Sequence, residues 1–248
     1  MNDAAPSHPA ADSAGPPTMS GRELTSTGFE GDLGEGDPAL LAALEVPSDE
    51  TGLMRAVARA RLLVPVLAVP GPPAGTTPRA TSITDMAVVT LTASDGQRAF
   101  PVFSSLATLS AWNVAARPSP VSGSKAAQGA VTERCEVMLL DCGSARELVL
   151  RPSMVWALAQ QREWLPAHTD PFVAQALVRA TADEPDVIDC AGQADPGGAG
   201  ILRVVLRLRG GLDAARVQAL ATRIGERIAT DGEARARIDG LSFTIRPA

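Results

Sequence analysis

Ile201-Leu-Arg-Val-Val-Leu-Arg-Leu-Arg209 alternates with period two: Leu202, Val204, Leu206 and Leu208 face one way, and Ile201, Arg203, Val205, Arg207 and Arg209 the other. Such alternation marks a strand with one face against a core. Asp213 then precedes a run to Thr230 in which Val217, Leu220, Ile224 and Ile228 recur at helical spacing, with Arg223 on the solvent side. Leu241, Phe243 and Ile245 alternate in a last strand. A helix laid over one face of a small sheet satisfies both periods. Strand, helix and strand follow in the order of a crossover unit, which is right-handed if the strands are parallel.

Working outward, a strand over 186–190, a Gly/Pro loop at 195–200 and a helix over 171–182, with Asp170 as its cap, complete a small α/β domain over 172–248. Leu165-Pro-Ala-His-Thr-Asp-Pro171, with two prolines bracketing His168, reads as the internal boundary. Before it, Pro152 opens a helix over Ser153–Trp164 whose Met154-Val-Trp-Ala-Leu158 is apolar nearly all round and therefore buried. Glu136–Asp141 and Arg146–Leu150 read as a hairpin turning at Cys142-Gly143-Ser144. Asp85–Ala93 and Arg98–Ser104 read as another, turning at Ser94-Asp95-Gly96. Helices are expected at 38–44, 49–60, from Ser104 or Ser105 through Trp112, and at 124–133; strands at Leu62–Val69 and, as a short extended piece, at Arg117–Val121. The fold class is α+β: an N-terminal domain over 29–171, a mixed sheet packed with helices, and a small C-terminal α/β domain. Residues 1–28, rich in Ala, Pro, Ser, Gly and Thr, lack hydrophobic periodicity and are expected to be a disordered acidic tail, and 70–78 a loop.

Charge narrows the function. Of the net −6, all sits in residues 1–37, with seven acids and Arg22 as their one base; the rest is neutral. A neutral body with an acidic tail lacks the cationic footprint of a nucleic-acid binder. Only Lys125 among 22 basic residues is a lysine, a codon-usage signature that carries no function. No apolar run approaches the roughly 18 residues that span a bilayer, and no signal peptide opens the chain. Three cysteines, Cys135, Cys142 and Cys190, form no closely spaced pair. The expectation is a cytoplasmic protein with free thiols, no membrane contact and no nucleic-acid partner.

No motif carries recognisable chemistry. Gly28-Phe-Glu-Gly-Asp-Leu-Gly-Glu-Gly36 lacks a preceding strand and a Lys-Ser/Thr ending, and its acids would repel phosphate. His168 beside Thr169 and Asp170, with Ser153 as a nucleophile, makes a weak triad, since a hydroxyl in a helix's first turn satisfies backbone donors. Two histidines and three scattered cysteines furnish no zinc set. No catalytic residue, metal site or cofactor is expected. Trp112, Arg117, Arg151 and Trp156 are the candidate lining of a ligand or partner cleft between the first domain's helices and sheet. The plainer reading makes both tryptophans core and pairs both arginines with acids. The Arg203/Arg207/Arg209 stripe reads as a solvated sheet face.

Several stretches resemble the SseB family of high-GC Gram-positive bacteria: Gly31-Asp-Leu-Gly34 with Asp37-Pro38, Ala60-Arg-Leu-Leu-Val-Pro-Val66, Pro101-Val-Phe-Ser104 with Trp112, Ala116-Arg-Pro118, and Leu150-Arg-Pro-Ser-Met-Val-Trp-Ala-Leu158. They cover about 29–171, the family's N-terminal domain, and 172 onward resembles its C-terminal domain. Leu33 stands where the resemblance leads one to expect a second acid after Asp32. The resemblance implies no catalytic residues. It leaves two classes open: a non-enzymatic interaction or regulatory protein, and a small-molecule-binding protein or enzyme. The family's name, from enhanced serine sensitivity, points the second towards amino acids. A protein partner leads, with a small molecule as the alternative.

Overall fold

Asp37 accepts hydrogen bonds from the N–H groups of Ala39 and Leu40, so α1 (Pro38–Leu44) begins at the Asp-Pro pair. The computed structural model describes Phe29, residues 31–70 and residues 84–247. The tail expected over 1–28, and nearly all of the loop expected over 70–78, lie outside them. The chain divides into Met1–Asp32 and a body, Leu33–Ala248. Of the first unit, the described residues hold a turn in which Asp32 N–H donates to the Phe29 carbonyl, with Gly31 at φ 94°.

In the body, α2 (Glu50–Arg59) is capped by Asp49 and buries Leu53, Met54 and Val57. β1 (Arg61–Pro70) runs antiparallel between β2 (Thr84–Val88) and β5 (Arg117–Ser122). A second sheet has the order β3 (Leu91–Thr92), β4 (Arg98–Val102), β6 (Val137–Leu140), β7 (Leu148–Leu150), with β4 and β6 parallel and the outer pairs antiparallel. Leu63 and Phe103 exchange backbone hydrogen bonds of 2.8 and 2.9 Å and join the two sheets. The helices α3 (Leu106–Trp112), α4 (Gly123–Thr132) and α5 (Pro152–Ala159) complete this part. Its core runs from Leu40 and Val57 through Leu62, Phe100, Met138 and Leu140 to Met154 and Leu158.

The third sheet, β10 (Gly240–Pro247), β9 (Ile201–Leu208), β8 (Val187–Ala194), pairs β9 parallel to β10 and antiparallel to β8. As the alternation requires, Leu202, Val204, Leu206 and Leu208 are buried, and Leu220, Ile224 and Ile228 of α7 (Ala214–Thr230) meet them. Val173, Ala176 and Leu177 of α6 (Pro171–Thr181), with Ala234 of the short α8 (Gly232–Arg235), close this second cluster. Three sheets and eight helices among the described residues make the class α+β, as the sequence implies.

Three elements differ from the sequence reading. The strand read over Asp85–Ala93 is two strands in different sheets: Val89 N–H still donates to the Pro65 carbonyl, then Leu91 pairs with Ala99. A run rich in β-formers does not say where a strand changes partners. α5 ends at Ala159 rather than Trp164, because Gln161 takes the left-handed conformation at φ 54°. Gln161 N–H then donates to the Leu158 carbonyl and Arg162 N–H to that of Ala157, a Schellman stop without its usual glycine. The same stop, again without glycine, ends α4 at Arg134. The strand read over 186–190 is β8 from Val187 to Ala194, since Asp189 through Ala194 pair continuously with β9 after a shift of register past Val187.

Candidate functional site

Arg151 ends β7's approach to α5 and supplies no side-chain cap to that helix. The cap comes from Asp239, just before β10. Its Oδ1 accepts from Ser153 N–H at 2.7 Å, and its Oδ2 from Ser153 Oγ at 2.8 Å and Arg151 Nε at 3.0 Å. A carboxylate at a helix N-terminus satisfies orphan donors and complements the dipole. Arg151 also forks onto Glu50, in the first turn of α2, with Nη1–Oε1 at 2.6 Å and Nη2–Oε2 at 3.0 Å. Trp164 Nε1 donates to Ser153 Oγ at 3.0 Å, and the Arg151 guanidinium carbon lies 5.8 Å from the Trp164 ring centroid. Burial works against the charge of Arg151, but the hydrogen bonds that it donates to Glu50 and Asp239 outweigh burial and hold the guanidinium more firmly protonated than usual.

This network floors a cavity of about 240 Å³. Pro166, His168, Asp195, Pro196, Ile201 and Arg237 form its other walls. Gly200, at φ 80°, closes against it: a Cβ there would stand 2.5 Å from Arg151 Nε and 2.8 Å from Asp239 Oδ2. Deeper still, Arg237 Nε pairs with Asp170 Oδ2 at 3.1 Å, both side chains buried, and the Arg237 guanidinium lies 4.4 Å from the Phe172 ring centroid. Trp164 and Asp170 are themselves buried, so the segment read as an internal boundary is pinned at both ends.

The polar groups of this cleft are directed at one another. Ser153 Oγ gives its proton to Asp239 and accepts from Trp164, and among the described residues no hydrogen bond joins it to His168, which lines the same cavity. Cys190 is pushed up to about 11 by burial and by Asp189, far from a reactive thiolate. All three cysteines are free. Among the described residues, no group of three or more His, Cys, Asp or Glu side chains is placed to hold a metal ion. Nor is any helix among them long and apolar enough to cross a membrane.

The four residues read from sequence as a cleft lie in separate surroundings. Trp112 packs on Phe103 with ring centroids 5.2 Å apart, in a small cluster with Leu63 and Leu109. Arg117 is exposed on β5. Arg151 lies in the network above, paired with two acids. Trp156 is 43% exposed on α5. It borders a concavity of about 350 Å³ with Val131, Arg134, Cys135, Glu136, Pro152 and Val155. Met154, Val155, Ala157 and Leu158 take the inward arc of an eight-residue helix, and 3.6 residues per turn leave position 156 facing out. Asp239, Glu50 and Trp164 were missed in the sequence. Asp239 meets Ser153 across 86 positions and Glu50 meets Arg151 across 101, separations at which no local pattern signals a contact.

Residues 38–157 match the SseB protein N-terminal domain. No curated protein matches the chain. No solved structure matches it either. The matched span runs from the first residue of α1 into α5 and takes in both sheets of the first part, and through it this chain belongs to the SseB family.

Proposed function

We propose that this SseB family protein is a non-enzymatic interaction or regulatory protein of the cytoplasm, and that it meets a protein partner at the surface around Trp156. One observation carries the reading: an indole 43% exposed on a helix whose neighbouring side chains are buried. Exposed tryptophans beside apolar walls are where binding energy concentrates. Val131, Pro152 and Val155 supply such walls, with exposed Arg134 and Glu136 at the rim. The matching partner presents an apolar side chain to Trp156, with an acid and a base placed to meet Arg134 and Glu136. Saturation of the Ser153–Asp239–Arg151 network by its own members also favours binding over catalysis.

The test places a photo-crosslinking residue at position 156 and, as a control, at Val178, an apolar position 68% exposed on α6. A discrete adduct from 156 alone is expected. Trp156→Ala should then weaken binding of that purified partner by roughly 30-fold. Equal labelling from both positions, or unchanged affinity in the variant, would refute the reading.

A further inference from the structure

A second cavity, of about 480 Å³, opens where the last turns of α2, the start of α4 and the segment after α5 converge. Met54, Leu158 and Trp164, all buried, form an apolar floor. The charged lining is three arginines, Arg55, Arg59 and Arg162, against a single acid, Glu163. Arg55 and Glu163 neutralise each other in an exposed pair at 2.7 Å. Arg59 and Arg162 are therefore left facing no other acid of the lining, on a chain whose net charge is −6.

Neither remaining cation is closely paired within the protein. Arg59, exposed in the last turn of α2, pairs with no carboxylate among the described residues. Arg162 Nε is buried without a hydrogen-bond partner. Its nearest ion-pair partner, Glu233, lies 3.9 Å from Nη1 and is held more closely by Arg237. Burial first, then the Arg237 charge, pull the Arg162 guanidinium below the ordinary arginine range, and Glu233 and Asp170 only partly offset them. A partly desolvated guanidinium with an orphaned Nε and only a distant, shared carboxylate is costly, and an anion alongside relieves the cost. Ser124, in the first turn of α4, adds a hydroxyl to the wall.

We propose that this cavity binds a small phosphate monoester, with the phosphate between Arg59 and Arg162 and an apolar portion on Met54, Leu158 and Trp164. Charge selects the class. Two cations with no free acid in the lining, one unpaired and one held only by a distant, shared carboxylate, match a phosphate, which carries about −1.5 to −2 at neutral pH, better than a monocarboxylate. Guanidinium forks also suit phosphate oxygens geometrically. The site contains neither Trp156 nor any of the concavity beside it, so it stands independently of the protein-partner reading.

Phenyl phosphate, inorganic phosphate and benzoate are the probes, titrated calorimetrically into the full chain at low salt. Phenyl phosphate should bind saturably with Kd of about 1 mM or tighter. Inorganic phosphate should bind more weakly for want of the apolar floor, and benzoate more weakly still for want of charge. Arg59→Gln, at an exposed and unpaired position that does not hold the fold, should weaken phenyl phosphate roughly tenfold. Arg162→Gln should do at least as much, and Trp156→Ala should leave binding unchanged. Absence of saturable binding overturns the proposal, as does wild-type affinity in Arg59→Gln. Benzoate binding as tightly as phenyl phosphate would overturn the assignment to phosphate, and inorganic phosphate matching phenyl phosphate would remove the apolar subsite.

Discussion

Replacing Asp239 by Ala removes, in one step, the cap of α5 and half of what holds Arg151. The lost carboxylate accepts three hydrogen bonds, from Ser153 N–H, Ser153 Oγ and Arg151 Nε. Loss of a helix cap alone costs about 1 kcal/mol. A hydrogen bond to a charged group contributes about 1.5–3 kcal/mol, and these bonds share one acceptor, so their losses are not additive. Removing one partner from a fully buried ion pair costs about 3–5 kcal/mol. Here Arg151 keeps Glu50 and its side chain stays 18% exposed, so water from the adjoining cavity compensates in part. The expected loss is about 3 kcal/mol. Asp239→Asn, which retains one carbonyl acceptor but no charge, should cost about half as much. Urea unfolding followed by tryptophan fluorescence is the assay, since the Trp164 indole donates into the network through Ser153. A double-mutant cycle with Arg151→Met should show a coupling of about 1–2 kcal/mol. A loss under about 0.5 kcal/mol for Asp239→Ala, with an unchanged denaturant slope, would mean that the tie contributes nothing to the fold.

Ile224 is fully buried in the second cluster, so Ile224→Asp should cost several kcal/mol in urea, about 3 or more, whereas Thr222→Asp, exposed on the same helix, should cost under about 1 kcal/mol. Equal damage would place the buried face of α7 elsewhere. Glu184, whose side chain is only 7% exposed, is held below the ordinary glutamate range chiefly by its hydrogen bond to Arg223, against the effect of burial and with help from Arg227. Its contribution is therefore complete above the unfolded-state value of 4.5 and is lost as pH falls through the lower folded-state value. The stability difference between wild type and Glu184→Gln should accordingly shrink on acidification below that value, and a constant difference would refute the assignment.

The sequence by itself determined the elements whose causes are local. Asp37, Asp49, Ser105, Asp170 and Asp213 cap the helices that follow them, because a short polar side chain meets backbone donors two or three residues on. The alternation of 201–208 and the helical stripe of 217–228 fixed which faces are buried, because period alone sorts the side chains of a strand or helix. It did not fix which surface positions are paired. Arg223, read as plainly solvent-facing, lies over Glu184, 39 positions away. Tertiary structure also decided that Asp85–Ala93 serves two sheets and that α5 stops at Ala159 on a left-handed glutamine. Both choices are made by the partners the chain finds, not by its composition. The candidate cleft was legible only in part: Arg151 and Trp156 were singled out, but not that one is locked into a carboxylate pair and the other turned outward. Asp239, Glu50 and the three arginines of the second cavity meet across separations of up to about a hundred residues. Such contacts are set by how packed layers fall together, and no local periodicity encodes them.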